Sequence, residues 1–272
     1  MSVVIGIDVG GSTTKIVGYY DKKRLTEPLF VKASDPVTSI YGAFGRFTAE
    51  NELSFEDISE IMVTGVGATS VGDSLYHCKC SHLREFDCVG RGGLYLSGLD
   101  EAIVVSMGTG TALIHAKKNG EMNYLGGTGV GGGTIHGISR LVLGMDNIDH
   151  ISSLAREGDL SRIDLRVGDM TKSDAQLGLP MTMTAANFGK ISDMATKNDM
   201  ALGIFNMVFE VDAMLAIFTA RRFGLRDIVL TGYLAEIEQA PAIFGELGRL
   251  FDVNFIIPKD AQYSTVIGAA IV

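Results

Sequence analysis

Four clusters of glycine stand directly behind apolar runs in this chain: Gly10–Gly11, Gly108–Gly110, Gly126–Gly133 and Gly232. Glycine tolerates positive φ and lets backbone approach a ligand closely, so its N–H groups can face phosphate oxygens. Hydroxyls accompany the clusters: Ser12, Thr13, Thr109, Thr111 and Thr134. Taken singly, any of them also reads as a hairpin turn. The densest stretch, "LGGTGVGGGTIHGISRLVLG" (125–144), carries six glycines within eight residues, ahead of a helical pattern. A helix N-terminus behind a glycine loop favours anions. The stretch is neither a Walker A loop nor a dinucleotide fingerprint, since it lacks the G-K-[ST] ending and the later ribose-binding acid. Asp8 closes the first apolar run, where it could face a metal-bridged phosphate or cap its own turn. Magnesium needs only one or two carboxylates, so Asp8 alone suffices as a ligand. Lys15 could add a charge, although its direction is open.

These residues must be held by strands. "VVIGIDV" (3–9), "TKIVGYY" (14–20) and "LTEPLFVKA" (25–33) read as a β-meander, "PVTSIYGAFGRFTAEN" (36–51) as a helix, and "ISEIMVTG" (58–65) as a strand ending at glycine. At residue 101 the design restarts: "EAIVVSMGTGTALIHAKKNGEM" repeats the order strand, glycine turn, strand, charged turn. A repeat about a hundred residues apart indicates two like-folded lobes rather than a solenoid. The expected division is 1–100 and 101–272. "LRDIVLTGYLAEI" (225–237) adds another strand ending at glycine. Two facing hairpins suit a nucleoside triphosphate in a cleft between lobes.

Composition narrows the partners. Of 272 residues, 32 are acidic and 23 basic, a net charge of −9, and no Lys/Arg stripe is present; nucleic acid and anionic membrane are excluded as expected partners. The most apolar segment, "MALGIFNMVFEVDAMLAIFTARRFG" (200–224), contains Glu210 and Asp212, and is expected to be a buried or interface helix rather than a membrane span. The chain opens on a strand rather than a secretory signal, and three cysteines make no disulfide framework, so a reducing cytoplasm is expected. "HCKCSH" (77–82) lacks metal-ligand spacing. It reads better as a strand with Cys78, Cys80 and His82 on one face, and His77 and Lys79 on the other.

"GIDVGGSTTK" (6–15), "SMGTGTA" (106–112), "GGTGVGGGTIHG" (126–137) and "TAANFG" (184–189), in that order, resemble the type II pantothenate kinases of the acetate and sugar kinase/Hsp70/actin superfamily. The resemblance covers nearly the whole chain. It implies an α/β, two-lobed actin-like (ribonuclease H-like) fold and ATP- and magnesium-dependent phosphorylation of the primary hydroxyl of pantothenate, the first step toward coenzyme A. It implies Glu85, in "LREFDCVG", as general base. It places ATP and magnesium on Asp8, Gly10, Gly11, Ser12, Thr13, Lys15, Gly108, Thr109, Gly131, Gly132, Gly133, Thr134, Gly232 and Tyr233. The pantothenate side falls to Glu85, Tyr124, Gly126, Thr184 and Ala185, and a homodimer to the 200–224 helix. One departure stands out. Where the family carries an arginine acting on substrate and transferring phosphoryl, "EMNYLGGTG" places Tyr124, which donates a hydrogen bond but carries no charge. Three alternatives follow: a same-fold kinase of a sugar or other small hydroxyl compound; an ATP-driven activator of 2-hydroxyacyl-CoA dehydratases, whose first motif looks similar; and a non-catalytic nucleotide-binding module, which Tyr124 keeps open. The activators hold an iron–sulfur cluster through cysteines, and "SMGTGTA" does not match their second phosphate motif.

Overall fold

The computed structural model describes residues 2–11, 13–21, 24–32, 35–171 and 179–272. In the first half, β1 (Val3–Val9), β2 (Thr13–Tyr20), β3 (Arg24–Leu25) and β4 (Leu29–Lys32) precede helix α1 (Pro36–Glu50). Strands β5 (Ile58–Thr64), β6 (Ser74–Leu75) and β7 (Cys78–His82) lead into α2 (Glu85–Ser97). The stretch expected as one third strand is thus two short ones, both paired with β2. Pro28 lies between them, and proline cannot donate to a ladder.

The second half begins with β8 (Glu101–Met107), β9 (Thr111–Lys117) and β10 (Met122–Thr128), followed by α3 (Gly132–Leu143) and α4 (Ile148–Ala155). A small ribbon, β11 (Leu165–Arg166), flanks the single turn α5 (Val167–Met170) and pairs with β12 (Thr184–Ala186). The chain closes with α6 (Lys197–Phe223), β13 (Asp227–Thr231), α7 (Ala240–Phe251), β14 (Asn254–Ile256) and α8 (Ser264–Ala270). Gly126 and Gly127 belong to β10 rather than to a loop.

The two large sheets share one plan. The first runs β3-β2-β1-β5-β7-β6 with β4 also on β2, and the second runs β10-β9-β8-β13-β14. In each, an antiparallel hairpin (β1–β2, β8–β9) is extended by parallel strands (β5 and β7, β13 and β14).

Helices α2 and α8 join the sheets. Val89 and Leu94 of α2 pack on Val104, Ile114 and Val229 of the second sheet, while Val266, Ile267 and Ala270 of α8 pack with Val17 of the first. Where the helices cross, backbone meets backbone. A Cβ on Gly92 would lie 1.8 Å from the Ser264 carbonyl oxygen, and one on Gly268 would lie 1.9 Å from that of Cys88. Neither neighbour is a flexible side chain. Gly92→Ala should therefore cost more than the ~1–3 kcal/mol usual for overpacking, read as a lower urea midpoint. An unchanged midpoint would show that the helices do not meet there.

Helix α6 starts at a capping box between Thr196 and Asp199 and stops at Gly224 in the left-handed region (φ 68°). By length and composition it could cross a membrane, but 61% of its most apolar window is buried, with Phe205, Phe209 and Ile217 in the main core of the second half.

Inside this core Asp212 is fully buried. One carboxylate oxygen accepts from Thr111 Oγ1 (2.9 Å), and the other has no partner. Burial pushes its pKa up to about 7, against the Thr111 hydrogen bond. A pKa raised on folding adds stability that is full below the unfolded value and lost as pH rises through the folded one. Asp212→Asn should therefore flatten the decline in stability between about pH 4 and 7, on the order of 4 kcal/mol at most. Denaturant titrations across that range would expose the difference. Equal slopes in both proteins would mean that Asp212 does not titrate there.

Candidate active site

Asp8 and Lys15 are direct cross-strand partners in the β1–β2 ladder. Opposed residues point to the same face, so the register places the lysine on the aspartate's side. Glu85, the first residue of α2, reaches the same centre: its charge acts on both Asp8 and Lys15. Burial pushes Asp8 up to about 6, opposed by Lys15 and assisted by Glu85. Glu85 is likewise raised by burial and pulled back by Lys15. The lysine is lowered by burial, with Asp8, Glu236 and Glu85 holding it up. One partly buried cation thus serves several carboxylates.

The Asp8 carboxylate accepts no hydrogen bond among the described residues, and Gly65 (φ 92°) leaves it room. A Cβ there would lie 2.6 Å from Asp8 Oδ1 and 2.5 Å from the Val9 carbonyl oxygen. An unpartnered carboxylate in such a cradle fits a magnesium ion that keeps most of its waters. Among the described residues no group of three or more His, Cys, Asp or Glu could hold a metal. Cys78 and Cys80 are buried in β7, whereas His82, expected on their face, is exposed at the strand end.

The remaining turn residues divide by what their backbone does. Gly10 closes the first turn by donating to Thr13 O (2.8 Å), and Gly11 borders open space. Ser12 lies outside the described residues. In the second half the hairpin turn Gly108, Thr109 and Gly110 docks against the start of α3. Gly132 N donates to Gly108 O and Gly133 N to Thr109 O, both at 2.8 Å. These two amides are spent inside the protein. A Cβ on Gly131 would come 2.8 Å from Gly110 Cα, and one on Gly127 would come 2.2 Å from the Thr111 carbonyl oxygen. Many glycines of this block therefore serve close packing of backbone on backbone. Thr134 Oγ1 stays local, between Gly131 N and Gly129 O.

Gly232 (φ 89°) follows β13 and donates to Ala261 O (3.0 Å); a Cβ would lie 2.5 Å from Met107 O. Tyr233 hydrogen-bonds Asp149 through its hydroxyl, and burial followed by that carboxylate pushes its pKa up. Glu236, three residues on, accepts from Gln262 N (2.9 Å) and Nε2 (2.8 Å), and the Gln262 carbonyl accepts from Lys15 Nζ (2.7 Å). Sequence reading passed over Glu236 and Gln262, and took Gly65 only as the end of a strand.

The expected acceptor-side residues fall in two places. Tyr124, 52% exposed on β10, stacks face to face on Phe86, the neighbour of Glu85, with centroids 4.2 Å apart. They share a groove of about 410 Å³ with Arg84, Asp87, Met122 and Asn123, and Gly126 (φ 125°) sits at the adjoining bulge. Thr184 instead donates to Glu210 of α6 (2.6 Å), beside Asn187 on the same carboxylate (2.7 Å). It lines a cavity of about 400 Å³ against α6 and α7 that includes none of Asp8, Lys15 and Glu85. Ala185 is exposed next to it. Thr184 and Tyr124 line separate cavities.

Two sheets of one plan, each an antiparallel hairpin extended by parallel strands, define the actin-like ATPase fold. An activator of 2-hydroxyisocaproyl-CoA dehydratase from Clostridium difficile with bound ADPNP superposes with a TM-score of 0.71 at 17% identity, over 99% of this chain and 93% of that one. A glucokinase of the ROK family from Streptomyces griseus, in complex with glucose and AMPPNP, gives 0.61 at 11% identity, over 99% and 98%. At these identities the likeness shows the fold alone. Residues 101–242 match the Fumble family. The type II pantothenate kinase of Staphylococcus aureus (strain USA300) is 30% identical over 238 residues, 84% of this chain and 83% of that protein. The chain belongs to the Fumble family, that of the type II pantothenate kinases.

Proposed function

We propose that this protein transfers the γ-phosphoryl group of ATP, with magnesium, to the primary hydroxyl of pantothenate. The observation that carries the reading is the convergence of Glu85 on Asp8 and Lys15 in a chain of this family. In this reading Asp8 would hold the metal, which would supply positive charge against the phosphates. Lys15 offers its ammonium to the phosphates, and the Gly10–Gly11 turn and the Gly108–Gly110 hairpin border them from opposite sheets. Glu85 accepts the hydroxyl proton as that oxygen approaches phosphorus, and its raised pKa makes it a better base than an exposed glutamate. Exposed Leu215, Phe218 and Phe223 on α6 support a homodimer through that helix.

A second reading, a kinase of another small hydroxyl compound, is favoured by Tyr124. Among the described residues, the groove it shares with Phe86 has one cation, Arg84, and that guanidinium is bound by both oxygens of Asp87 at 2.9 Å. Among those residues a carboxylate-bearing acceptor finds no free cation there. ADP release with magnesium–ATP and pantothenate, pantetheine or a sugar panel separates the readings. Pantothenate-dependent turnover is expected, and Tyr124→Arg should raise it severalfold through the restored cation. Turnover with a sugar alone would replace pantothenate by that acceptor.

A further inference from the structure

Lys15 is the cation on which the proposed centre depends, yet its terminal atom rests on neither carboxylate. It donates to the carbonyl of Gln262 at 2.7 Å, and its ammonium lies 6.0 Å from the Tyr263 ring. Gln262 belongs to the turn Ala261–Tyr263 that precedes α8, so this anchor comes from the far end of the chain. Its peptide is fixed in turn. Glu236 takes both the backbone and the side-chain N–H of Gln262, and Gly232 N ties the adjacent Ala261 carbonyl. Glu236 and Gly232 stand in the loop after β13 of the second sheet, whereas Lys15 and Asp8 stand on the first. The chain of contacts therefore crosses from one sheet to the other.

We infer that Glu236 is a positioning residue: by clamping Gln262 it fixes the carbonyl that aims the Lys15 ammonium toward Asp8 and Glu85. The inference rests on reading Asp8, Lys15 and Glu85 as the phosphoryl-transfer centre, but its first test needs neither nucleotide nor acceptor. The charged groups acting on Lys15 are Asp8 from β1, Glu85 from α2 and Glu236 itself; Asp260 acts on neighbouring Tyr263.

Glu236 is exposed, so neither variant below should disturb folding. Loss of the clamp leaves the Gln262 carbonyl free to move, and with it the hydrogen bond that holds the Lys15 ammonium. In ligand-free protein, NMR relaxation of the Lys15 Cε methylene is expected to show a mobile ammonium end in Glu236→Ala. Glu236→Gln removes the charge but keeps an oxygen for the Gln262 N–H, and Lys15 should stay as ordered as in the wild type. ADP release by Glu236→Ala should fall roughly ten- to hundredfold, as for a misplaced group remote from the chemistry, with Glu236→Gln recovering most of it. A Lys15 end that stays ordered in Glu236→Ala overturns the inference, whatever the activity. A mobile Lys15 end without any ATP-dependent turnover in the wild type would uphold the clamp and sink the kinase reading instead.

Discussion

Glu85→Gln is expected to lower ADP release with acceptor by roughly 10²–10⁴-fold while leaving affinity for magnesium–ATP near that of the wild type. The change keeps the side-chain shape at the start of α2 and removes its capacity to take a proton. Glu85 is raised by burial and pulled back by Lys15, which makes it a stronger base than an exposed carboxylate. Its charge also raises Asp8, so the variant should ionise Asp8 more readily and lose nothing in metal binding. Steady-state rates at saturating nucleotide, beside calorimetric titration with magnesium–ATP, distinguish proton abstraction from binding. Full turnover in the variant would remove Glu85 from the chemistry. Equal loss of affinity and rate would make it a binding residue.

The second large effect is a pH dependence set by Asp8. A metal ligand must be ionised, so affinity for magnesium–ATP should fall about tenfold for each pH unit below about 6. The effect on the fold has the opposite sign. A carboxyl whose pKa is raised on folding from 3.8 to about 6 stabilises the folded state fully in acid and loses that contribution as pH rises through 6. The difference is on the order of 3 kcal/mol. Asp8→Asn should therefore bind magnesium–ATP weakly at every pH from 5 to 8 and resist urea better than the wild type above pH 6. Such a trade of stability for function is common where a charge is kept out of water. Calorimetry and urea titrations on the same two proteins test both halves. Parallel pH profiles in the two would show that Asp8 titrates elsewhere.

How much of this was legible beforehand differs from residue to residue. Strand β1, strand β2 and helix α1 follow from local alternation and spacing, and the restart at residue 101 anticipates two sheets of one plan. The helix after Pro36 has an additional local mark, since Asp35 accepts from Thr38 N at its start. Local pattern stops where a residue's reason lies far along the chain. Gly6, Gly92 and Gly268 look like weak points in a strand and two helices; their purpose is contact with backbone of another element. Asp8 was marked by its turn, and the direction of Lys15 became known only from the ladder register. Glu236 is one acid among 32, and its partner Gln262 is 26 residues away. Gly65 did carry a signal. "VTG" ending β5 matches "LTG" ending β13, and both threonines are buried and donate to a backbone carbonyl at 3.1 Å, Thr64 to Leu83 and Thr231 to Val105. The glycine block read as a phosphate cradle from composition; the spent amides of Gly132 and Gly133 emerge only once the hairpin is seen against α3.

The crossing of α2 and α8 carries a mechanical meaning. Glu85 heads one helix and Gln262 stands two residues before the other, and between Gly92 and Gly268 there is no side chain to compress. Such a contact leaves little slack between the two helices. Glu85 and the Gln262 anchor of Lys15 therefore keep one fixed spacing, as two marks scribed on a single ruler do.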